Sequence, residues 1–306
     1  MTTARAGVAA GPLLRDAVAR LAAAGFPTAR QDAEWLLAAV LGVERFEVYL
    51  APRHDIAPAA VERYESLVDR RAAHEPLQYL LGFEEFRGLR LAVTPDVLIP
   101  RPETEGLVGW AVEILSNRPA PAAASVVADV GTGSGAIACA LAAALPDARV
   151  LAMDRSLAAL GVASGNVRRL GFSSRVWLLA GDLLEPLRPG AGIDMVVANP
   201  PYLPSAIFPA LPREVAGFEP RVALDGGPDG LKVIRRIVAG APAVLQPGGW
   251  LLMEIGEDQA GRLASLMAAE GFSDIAARRD LASVERYIVG RLPGGTPLPA
   301  ARRSSC

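Results

Sequence analysis

The chain has 306 residues, 51% of them hydrophobic, and its 31 basic and 33 acidic residues leave a net charge of -2. A chain of this size can bury at least one full core, and we expect it to form two domains. The near balance of charge argues against a protein that coats a nucleic acid backbone, and two cysteines exclude a disulfide framework and a thiolate zinc cluster.

The first part of the chain has the apolar spacing of helices. Helices are predicted over 13–24, 28–41, 45–50 and 58–73. Residues 79–96 then alternate between apolar and polar side chains around the turn residues Arg87-Gly88, which indicates a β-hairpin. A helix over 103–115 follows, and the prolines at 119 and 121 indicate a linker.

A glycine-rich loop opens the second half of the chain. The apolar run Val126–Val130 breaks into Gly131-Thr132-Gly133-Ser134-Gly135 and continues as a helix-forming segment to residue 145. This is the strand, tight turn and helix of a nucleotide-binding unit. Glycines allow positive φ and close approach of a ligand, and the helix start offers free N–H groups, so we expect these five residues to bind a polar or anionic cofactor.

Polar side chains follow the next two predicted strands. The strand over 150–153 ends in Asp154, whose carboxylate can accept both hydroxyls of a ribose. The strand over 176–180 is followed by Asp182 and Leu183, which suit the amino group and the ring face of an adenine. Each Asp taken alone is also typical of a helix N-cap. Together, strands that end in polar groups at one edge favour a doubly wound sheet with a ligand at that edge.

The fourth strand, over 193–198, runs directly into Asn199-Pro200-Pro201-Tyr202. The Asn199 side-chain oxygen and the Pro200 carbonyl can accept the two hydrogens of a planar NH₂ group and so orient its nitrogen towards an activated methyl group. The two prolines stiffen this segment, and Tyr202 offers a flat face to a planar amide or base. The pattern predicts methyl transfer to nitrogen, with Asn199, Pro200 and Tyr202 as catalytic residues.

The remaining elements complete an alternating pattern. Helices are predicted over 156–170, 229–245 and 257–271, and strands over 250–255, 274–278 and 284–290. We therefore expect an α/β fold with a Rossmann-like sheet of seven strands and a small helical N-terminal domain joined to it by the hairpin.

An ordered series of motifs resembles the HemK family of S-adenosylmethionine-dependent N5-glutamine methyltransferases over about residues 12–291. Besides the loop and Asn199–Tyr202, the series is Glu75–Gly82, Phe86–Gly88, Val97–Glu105, Phe218–Pro220, Ala223–Gly227, Asp229–Leu231 and Glu254–Gly256. Pro100-Arg101-Pro102-Glu103-Thr104-Glu105 resembles the branch that modifies class I peptide chain release factors, rather than the branch that modifies a ribosomal protein. The series departs from the family after Asp280-Leu281, where the family's glycine and arginine are replaced by Ala282–Arg286.

The resemblance implies a role for each matching residue. S-adenosylmethionine would lie on Gly131–Gly135, with its ribose on Asp154 and its adenine framed by Asp182 and Leu183. Asn199 would contact both cofactor and substrate, and Pro200, Pro201 and Tyr202 would complete the glutamine slot. The substrate would be the glutamine of the Gly-Gly-Gln motif in class I release factors.

The predicted organisation is a helical substrate-recognition domain over 1–78, a hairpin and helix linker over 79–116, a catalytic domain over 117–292 and a flexible tail over 293–306. Cys139 is expected to be a buried apolar residue, and His54 and His74 lack the spacing of metal ligands. No metal site is predicted. Charged residues interrupt any signal-like run near the N-terminus, and the longest apolar run is too short to cross a bilayer, so we expect a cytoplasmic protein. We also expect it to be a monomer.

Three other functions fit part of the pattern. An adenine or cytosine amino-methyltransferase uses a similar clamp on a planar NH₂ group, but the chain lacks a basic, aromatic-rich segment for nucleic acid. A non-catalytic binding module would not need an intact Asn199 or glycine loop. A nicotinamide dehydrogenase would need an acid or base near the loop, and none is evident there.

Overall fold

The computed structural model of the chain describes residues 8–50, 55–117 and 124–294. They form two compact units. The first unit contains the described residues up to Phe83 together with Leu211–Phe218, and the second contains Glu84–Ala210 and the described residues from Glu219 onward. His54, the predicted linker prolines 119 and 121, and the predicted tail from residue 295 lie outside the described residues.

The first unit is mainly helical, as predicted. Its elements are β1 (Val8–Ala9), α1 (Ala10–Ala23), α2 (Ala29–Leu41), α3 (Glu47–Leu50), β2 (Asp55–Ile56), α4 (Pro58–Ala72) and α5 (Leu77–Leu81). The two short strands pair antiparallel. The predicted hairpin was wrong at its start, because residues 79–81 belong to α5. Leu77, Leu80 and Leu81 pack on the core of this unit, and their spacing is that of a helix rather than a strand.

A buried ion pair lies inside the helical unit. The Arg71 guanidinium donates to Asp32 at 2.7 Å, and the two side chains are only 6% and 4% exposed. Arg71 also lies 3.9 Å above the ring of Phe26 and forms an ion pair of 3.0 Å with Glu214. Glu214 comes from Leu211–Phe218, so Arg71 joins the inserted segment to the N-terminal helices of the same unit.

The elements of the second unit begin with the predicted hairpin, whose strands are β3 (Phe83–Phe86) and β4 (Leu89–Ala92). The first strand begins at the boundary between the units. The later elements, in chain order, are α6 (Pro102–Ser116), β5 (Val126–Val130), α7 (Ala136–Ala144), β6 (Arg149–Asp154), α8 (Leu157–Arg169), β7 (Val176–Ala180), β8 (Ile193–Ala198), α9 (Arg213–Phe218, in the first unit), α10 (Lys232–Val244), β9 (Leu245–Glu254), α11 (Ala260–Ala269), β10 (Ser273–Arg279) and β11 (Glu285–Arg291).

The seven-stranded sheet predicted from the sequence is confirmed, with the order β10-β11-β9-β8-β5-β6-β7. The five strands from β9 to β7 run parallel, while β11 pairs antiparallel with β9 and β10. Sequence reasoning missed the short 3-10 helices Ser205–Ala210 and Arg221–Ala223 and began β9 five residues late.

Alternating residues of the central strands face two different cores. Val127, Met195 and Val197 pack with residues of α6 and α7, whereas Ala128, Val196 and Ala198 pack with residues of α10 and α11. Both faces of the sheet are therefore covered, which explains why β8 is a continuous apolar run apart from Asp194. Asp194 is tied down at the strand start, where it accepts a hydrogen bond from the Val126 N–H at 2.7 Å. In the part of the chain that the structure describes, no helix is both long and apolar enough to cross a membrane.

Candidate active site

The glycine loop and Asn199 lie at the point where the order of the sheet reverses. From β5 the chain adds β6 and β7 on one side, and then β8 and β9 on the other. Val130 pairs with Ala198, so Gly131 and Asn199 leave neighbouring strands at the same level. Ligands of open α/β sheets bind at such a switch point, outside the carboxyl ends of the strands. The topology therefore brings together the two segments that the sequence singled out.

The loop after β5 has the backbone that its glycines predict. Gly131, Gly133 and Gly135 have φ values of 74°, 54° and 81°. A Cβ at Gly131 or Gly133 would meet no atom within 4 Å, whereas one at Gly135 would lie 3.3 Å from Ala163 Cβ. The N–H groups of Gly131 and Thr132 donate to the Met153 carbonyl at 2.8 and 2.9 Å. The first two glycines thus leave room beside the backbone, and the third permits close packing against α8.

Asp129, which sequence reasoning did not single out, anchors the loop and the start of α7 by hydrogen bonds. One of its oxygens accepts from the Thr132 hydroxyl at 2.6 Å and from the Ala138 N–H at 3.1 Å. Its other oxygen is buried without a hydrogen-bond partner among the described residues. Burial raises the pKa of Asp129 to about 7. Because its hydroxyl donates to Asp129, the Thr132 side chain faces the protein interior. The Ser134 carbonyl accepts a hydrogen bond from the Asn166 side chain at 2.8 Å.

Asp154 is oriented by backbone N–H groups. Its two oxygens accept from Gly133 at 3.0 Å and from Ser156 at 2.9 Å. The residue that caps α8 is Ser156, whose hydroxyl oxygen accepts from the Ala159 N–H at 3.2 Å. The carboxylate of Asp154 thus lies beside the glycine loop instead of capping the helix.

Asp182 and Leu183 follow β7 at the same edge. The Gly181 N–H donates to the Asp154 carbonyl at 3.1 Å, which joins this turn to the end of β6. Asp182 forms an ion pair of 2.8 Å with Arg236 of α10, a partner that the sequence did not indicate. Leu183 has a φ of 55°, in the left-handed region. This backbone turns the chain sharply just after the strand.

The Asn199–Tyr202 segment is held by side chains from three other parts of the second unit. The Asn199 amide nitrogen donates to the Thr104 hydroxyl at 3.0 Å, and the Tyr202 hydroxyl donates to Glu254 at 3.2 Å. The Gln259 side chain donates to the Tyr202 carbonyl at 3.0 Å. Burial raises the pKa of Tyr202, so the phenol remains neutral. Pro200 is buried and Pro201 is half-buried.

Glu254 is almost fully buried, with 1% of its surface exposed. It ends β9, and because Met253 pairs with Ala198, Glu254 and Asn199 lie at the same level of the sheet. Burial raises the pKa of Glu254 to about 7, although hydrogen bonds from Thr104 and Tyr202 and the positive charge of Arg286 oppose this shift. Arg286 itself is held by Asp280 at 3.3 Å.

Two glycines wrap the backbone of the proline-tyrosine segment. A Cβ at Gly226 would lie 2.7 Å from the Pro201 carbonyl, and one at Gly230 would lie 2.3 Å from the Tyr202 carbonyl. Leu203 exchanges backbone hydrogen bonds with this glycine-rich turn, accepting from Gly226 at 2.9 Å. Glycines here let the two segments of the backbone approach each other closely. This is a physical reason for the glycines at 226 and 230, which belong to the motifs of the resemblance.

The segment over 100–105 is anchored to Glu219. The Arg101 guanidinium donates to the buried Glu219 carboxylate, which also accepts from the Ile99 N–H at 3.4 Å. This contact joins two of the motifs in the resemblance, and it fixes the start of α6, where Thr104 lies. Thr104, Glu254, Gln259 and Asp129 are the site residues that sequence reasoning missed. The first three fall within or beside matched motifs, but no local spacing indicates their partners.

Cys139 and His74 have the environments expected of structural residues. Cys139 is buried, as predicted. His74 is half-buried, and its ring lies 5.0 Å from that of Phe26. Within the described ranges, no group of three or more His, Cys, Asp or Glu residues is arranged to hold a metal ion.

The chain matches two protein-family models. Residues 12–82 match the PrmC N-terminal domain, and residues 111–206 match the methyltransferase small domain. Similar proteins include the release factor glutamine methyltransferase of Moorella thermoacetica, 50% identical over 84% of this chain and 89% of the relative. The corresponding protein of Geobacter sulfurreducens is 45% identical over 89% of this chain and 93% of the relative.

A solved structure with much lower sequence identity has a similar fold. The N-terminal domain of human METTL16, solved in complex with SAH, superposes with a TM-score of 0.52 and is 19% identical over 73% of this chain and 83% of that domain. At this identity the likeness establishes the fold of the methyltransferase unit and nothing about its substrate.

Proposed function

The chain belongs to the family of release factor glutamine methyltransferases, and we propose that it transfers a methyl group from S-adenosylmethionine to the side-chain amide nitrogen of the glutamine in the Gly-Gly-Gln motif of class I peptide chain release factors. One observation carries the proposal. Asn199 leaves β8 beside the glycine loop, and its amide nitrogen donates a hydrogen bond to Thr104, so its carbonyl oxygen is the end that can accept a hydrogen bond from a substrate amide.

The proposed chemistry depends on orienting a weak nucleophile. The nitrogen of a glutamine amide has a delocalised lone pair and is a weak nucleophile, so the enzyme must fix the NH₂ group and favour the positive charge that develops on it as the methyl group transfers. The Asn199 oxygen and the Pro200 carbonyl accept its two hydrogens, and the Tyr202 ring, fixed by Glu254, lies against its plane. S-adenosylmethionine would supply the methyl group: the nitrogen–carbon bond forms as the sulfonium–carbon bond breaks, and the neutral thioether leaves. The methylated amide then loses one proton to solvent, so these residues need no strong base.

Several features of the chain fit this cofactor. Gly131 and Gly133 have positive φ and open space beside their α-carbons, which suits a ligand lying close to the backbone. The Asp154 carboxylate, already aimed by the loop N–H groups, would hold the ribose hydroxyls. Asp182 and Leu183 would frame the adenine, with Arg236 keeping Asp182 in place. SAH, which is bound in the METTL16 structure, is what S-adenosylmethionine becomes after methyl transfer.

The helical domain predicted over 1–78 is proposed to hold the body of the release factor, because the slot at Asn199 can read only a few atoms of a glutamine. We propose that the protein works in the cytoplasm as a monomer, without a metal and without direct contact to nucleic acid. A whole release factor should then have a much higher kcat/KM than a short peptide that contains Gly-Gly-Gln. Equal values would mean that the slot alone selects the substrate.

The test of the function is an assay with labelled S-adenosylmethionine and purified class I release factor, followed by mass spectrometry of the Gly-Gly-Gln peptide. A single added methyl group on that glutamine is the expected result. Label on a ribosomal protein instead would assign the chain to a different substrate. Label in nucleic acid would identify an amino-methyltransferase that uses the same clamp on adenine or cytosine.

A further inference from the structure

Thr104 and Glu254 lie behind the Asn199–Tyr202 segment and are almost completely buried, with 4% and 1% of their surfaces exposed. Thr104 lies in the first turn of α6, and Glu254 ends β9. They are separated by 150 residues in the chain, yet the Thr104 hydroxyl donates to Glu254 at 2.7 Å. Burying a carboxylate costs free energy unless its oxygens accept hydrogen bonds, and both Glu254 oxygens do so here.

The hydrogen bonds form a directed chain. An ionised carboxylate carries no proton and can only accept, so both hydroxyls that reach Glu254 must donate to it. Thr104 has a single hydroxyl proton, which it uses on Glu254, and therefore presents only lone pairs to Asn199. Only the NH₂ end of Asn199 can satisfy those lone pairs, at the observed 3.0 Å. The oxygen end of the carboxamide is then left for the substrate.

We propose that Glu254 and Thr104 are positioning residues that decide which end of the Asn199 carboxamide faces the substrate amide, while the second oxygen of Glu254 holds Tyr202. This inference rests on the proposed function, because a glutamine NH₂ group needs an acceptor. We call the hydrogen bonds from Asn199 through Thr104 to Glu254 the relay. A carboxamide is nearly symmetric in shape, so without the relay its oxygen and nitrogen ends could exchange places by rotation. Its NH₂ end would then meet the NH₂ group of the substrate, and two donors would face each other.

The relay also makes activity depend on the ionisation of Glu254. The charged and titratable groups around it are Arg286 and Tyr287 of β11, Glu103 of α6, and Tyr202. Burial raises the pKa of Tyr287 to about 12, so it stays neutral, while Arg286 favours and Glu103 disfavours the carboxylate. A protonated Glu254 could donate one hydrogen bond, which would free the Thr104 proton to turn towards Asn199. Activity should therefore fall as the pH decreases through about 7, the value to which burial raises the pKa of Glu254.

The experiment compares Thr104→Val, which removes the hydroxyl but keeps the shape, with Thr104→Ser, which keeps the hydroxyl. We expect Thr104→Val to lower kcat about 100-fold, in the range seen when one well-placed transition-state contact is lost, with the affinity for S-adenosylmethionine unchanged. Thr104→Ser should retain most of kcat. Thr94→Val is the matched control, because Thr94 also donates to a carboxylate, Asp96, at 3.1 Å. A Thr104→Val enzyme with normal kcat, or equal losses in the Ser and Val variants, would overturn the relay.

Glu254→Gln gives an independent readout. Its NH₂ group can donate to Thr104 and so reverse the chain, and we expect a low kcat that no longer changes with pH near 7. A retained inflection in the pH profile would contradict the assigned role of Glu254. Circular dichroism and thermal unfolding of each variant separate these outcomes from loss of the fold.

The relay can also be tested without any methyl transfer, so that its failure is distinct from failure of the proposed function. In ¹⁵N NMR spectra, the side-chain NH₂ signal of Asn199, assigned by its loss in Asn199→Ala, should shift with pH near 7. The shift should be absent in Thr104→Val and in Glu254→Gln. A signal that titrates equally in all three proteins would reject the relay, whereas an inactive wild type with the expected shifts would reject only the proposed substrate.

Discussion

Asn199 and Asp154 lie on neighbouring parts of one edge of the sheet but have different environments. The Asn199 carboxamide is held through its nitrogen by Thr104, and its oxygen is the end that we propose meets the substrate amide. The Asp154 carboxylate is held by the N–H groups of Gly133 and Ser156, beside the loop proposed to bind the cofactor. We therefore propose that the two side chains serve different ligands, and their removal should have different kinetic consequences.

Asn199→Ala should lower kcat by at least about 100-fold while changing the affinity for S-adenosylmethionine little, because the lost acceptor serves the nucleophile. Asp154→Ala should lower the affinity for S-adenosylmethionine more than it lowers kcat. Isothermal titration with the cofactor and steady-state kinetics measure both effects. Asn117→Ala, at the exposed C-cap of α6, is the control for the asparagine substitution. Equal losses of cofactor affinity in both variants would contradict this division of roles.

The buried Asp129 carboxyl predicts a pH effect on stability. Burial raises its pKa from 3.8 to about 7, so the folded protein binds a proton there that the unfolded chain releases above about pH 4. This contribution to the free energy of unfolding is complete below about pH 4 and disappears as the pH rises through about 7. Asp129→Asn cannot titrate, and we expect it to flatten the stability profile in this window.

Urea unfolding of Asp129→Asn and of the wild type at several values between pH 4 and 8 measures the effect as a difference between the two proteins. Asp147→Asn, which replaces an exposed aspartate just after α7, is the control. Parallel stability profiles for Asp129→Asn and the wild type would show that Asp129 does not take up the proton.

At the scale of elements, the glycine-rich turn over 226–230 positions the segment that carries Tyr202. Gly230 has a φ of 75°, and a Cβ there would lie 2.3 Å from the Tyr202 carbonyl and 2.7 Å from the Gln259 amide nitrogen. Gln259 in turn donates to that same carbonyl. Both the backbone conformation and the space therefore require glycine at this position.

Gly230→Ala should destabilise the second unit by about 3 kcal/mol, from overpacking together with the left-handed backbone, and should lower kcat by displacing Tyr202. Gly161→Ala is the matched control, because Gly161 is exposed in α8 and a Cβ there would meet no atom within 4 Å. That variant should be more stable by about 1 kcal/mol, since alanine is the better helix former. Thermal unfolding measures both, and a neutral Gly230→Ala would contradict the close contact.

The described residues form three hydrophobic cores, one in the first unit and one on each face of the sheet in the second. The first unit is completed by a segment distant in sequence. Leu211–Phe218 supplies Glu214, which pairs with Arg71 beside Asp32 and Phe26. Without Asp32, the buried Arg71 charge would keep only the partly exposed Glu214 as an ion-pair partner, and losing a buried partner is far more damaging than losing an exposed one. The stability of the first unit should therefore depend on Asp32.

Asp32→Ala should destabilise the first unit by about 3 kcal/mol, because the buried Arg71 loses its partner at 2.7 Å. Trp35 is the one tryptophan of that unit, so single-tryptophan variants that retain it report its unfolding by fluorescence. Asp69→Ala is the control, since Asp69 pairs with Arg20 but has a side chain that is 72% exposed. Similar losses in the two variants would show that burial does not decide the contribution of Asp32.

Much of this protein follows from local sequence pattern. Apolar spacing predicted the helices of the first unit and the seven strands of the second, because the periods of helix and strand differ and each leaves a continuous apolar face. The positive φ of Gly131, Gly133 and Gly135 was likewise predictable, since glycine is the residue that accepts such a backbone. Alternation between residues 79 and 96 was the exception, because helical spacing at Leu77, Leu80 and Leu81 overrides it at the start.

The partners of the site residues were decided by the tertiary structure. The sequence by itself determined that Asn199 follows a buried strand and that a glycine loop follows another, because both are properties of adjacent residues. It could not indicate that Thr104 would bind Glu254 across 150 residues, or that Asp129 would support the loop it precedes. It also did not indicate that Leu211–Phe218 would complete the first unit. Such contacts depend on strand order and on how helices pack over the sheet, and neither leaves a periodic signal in the chain.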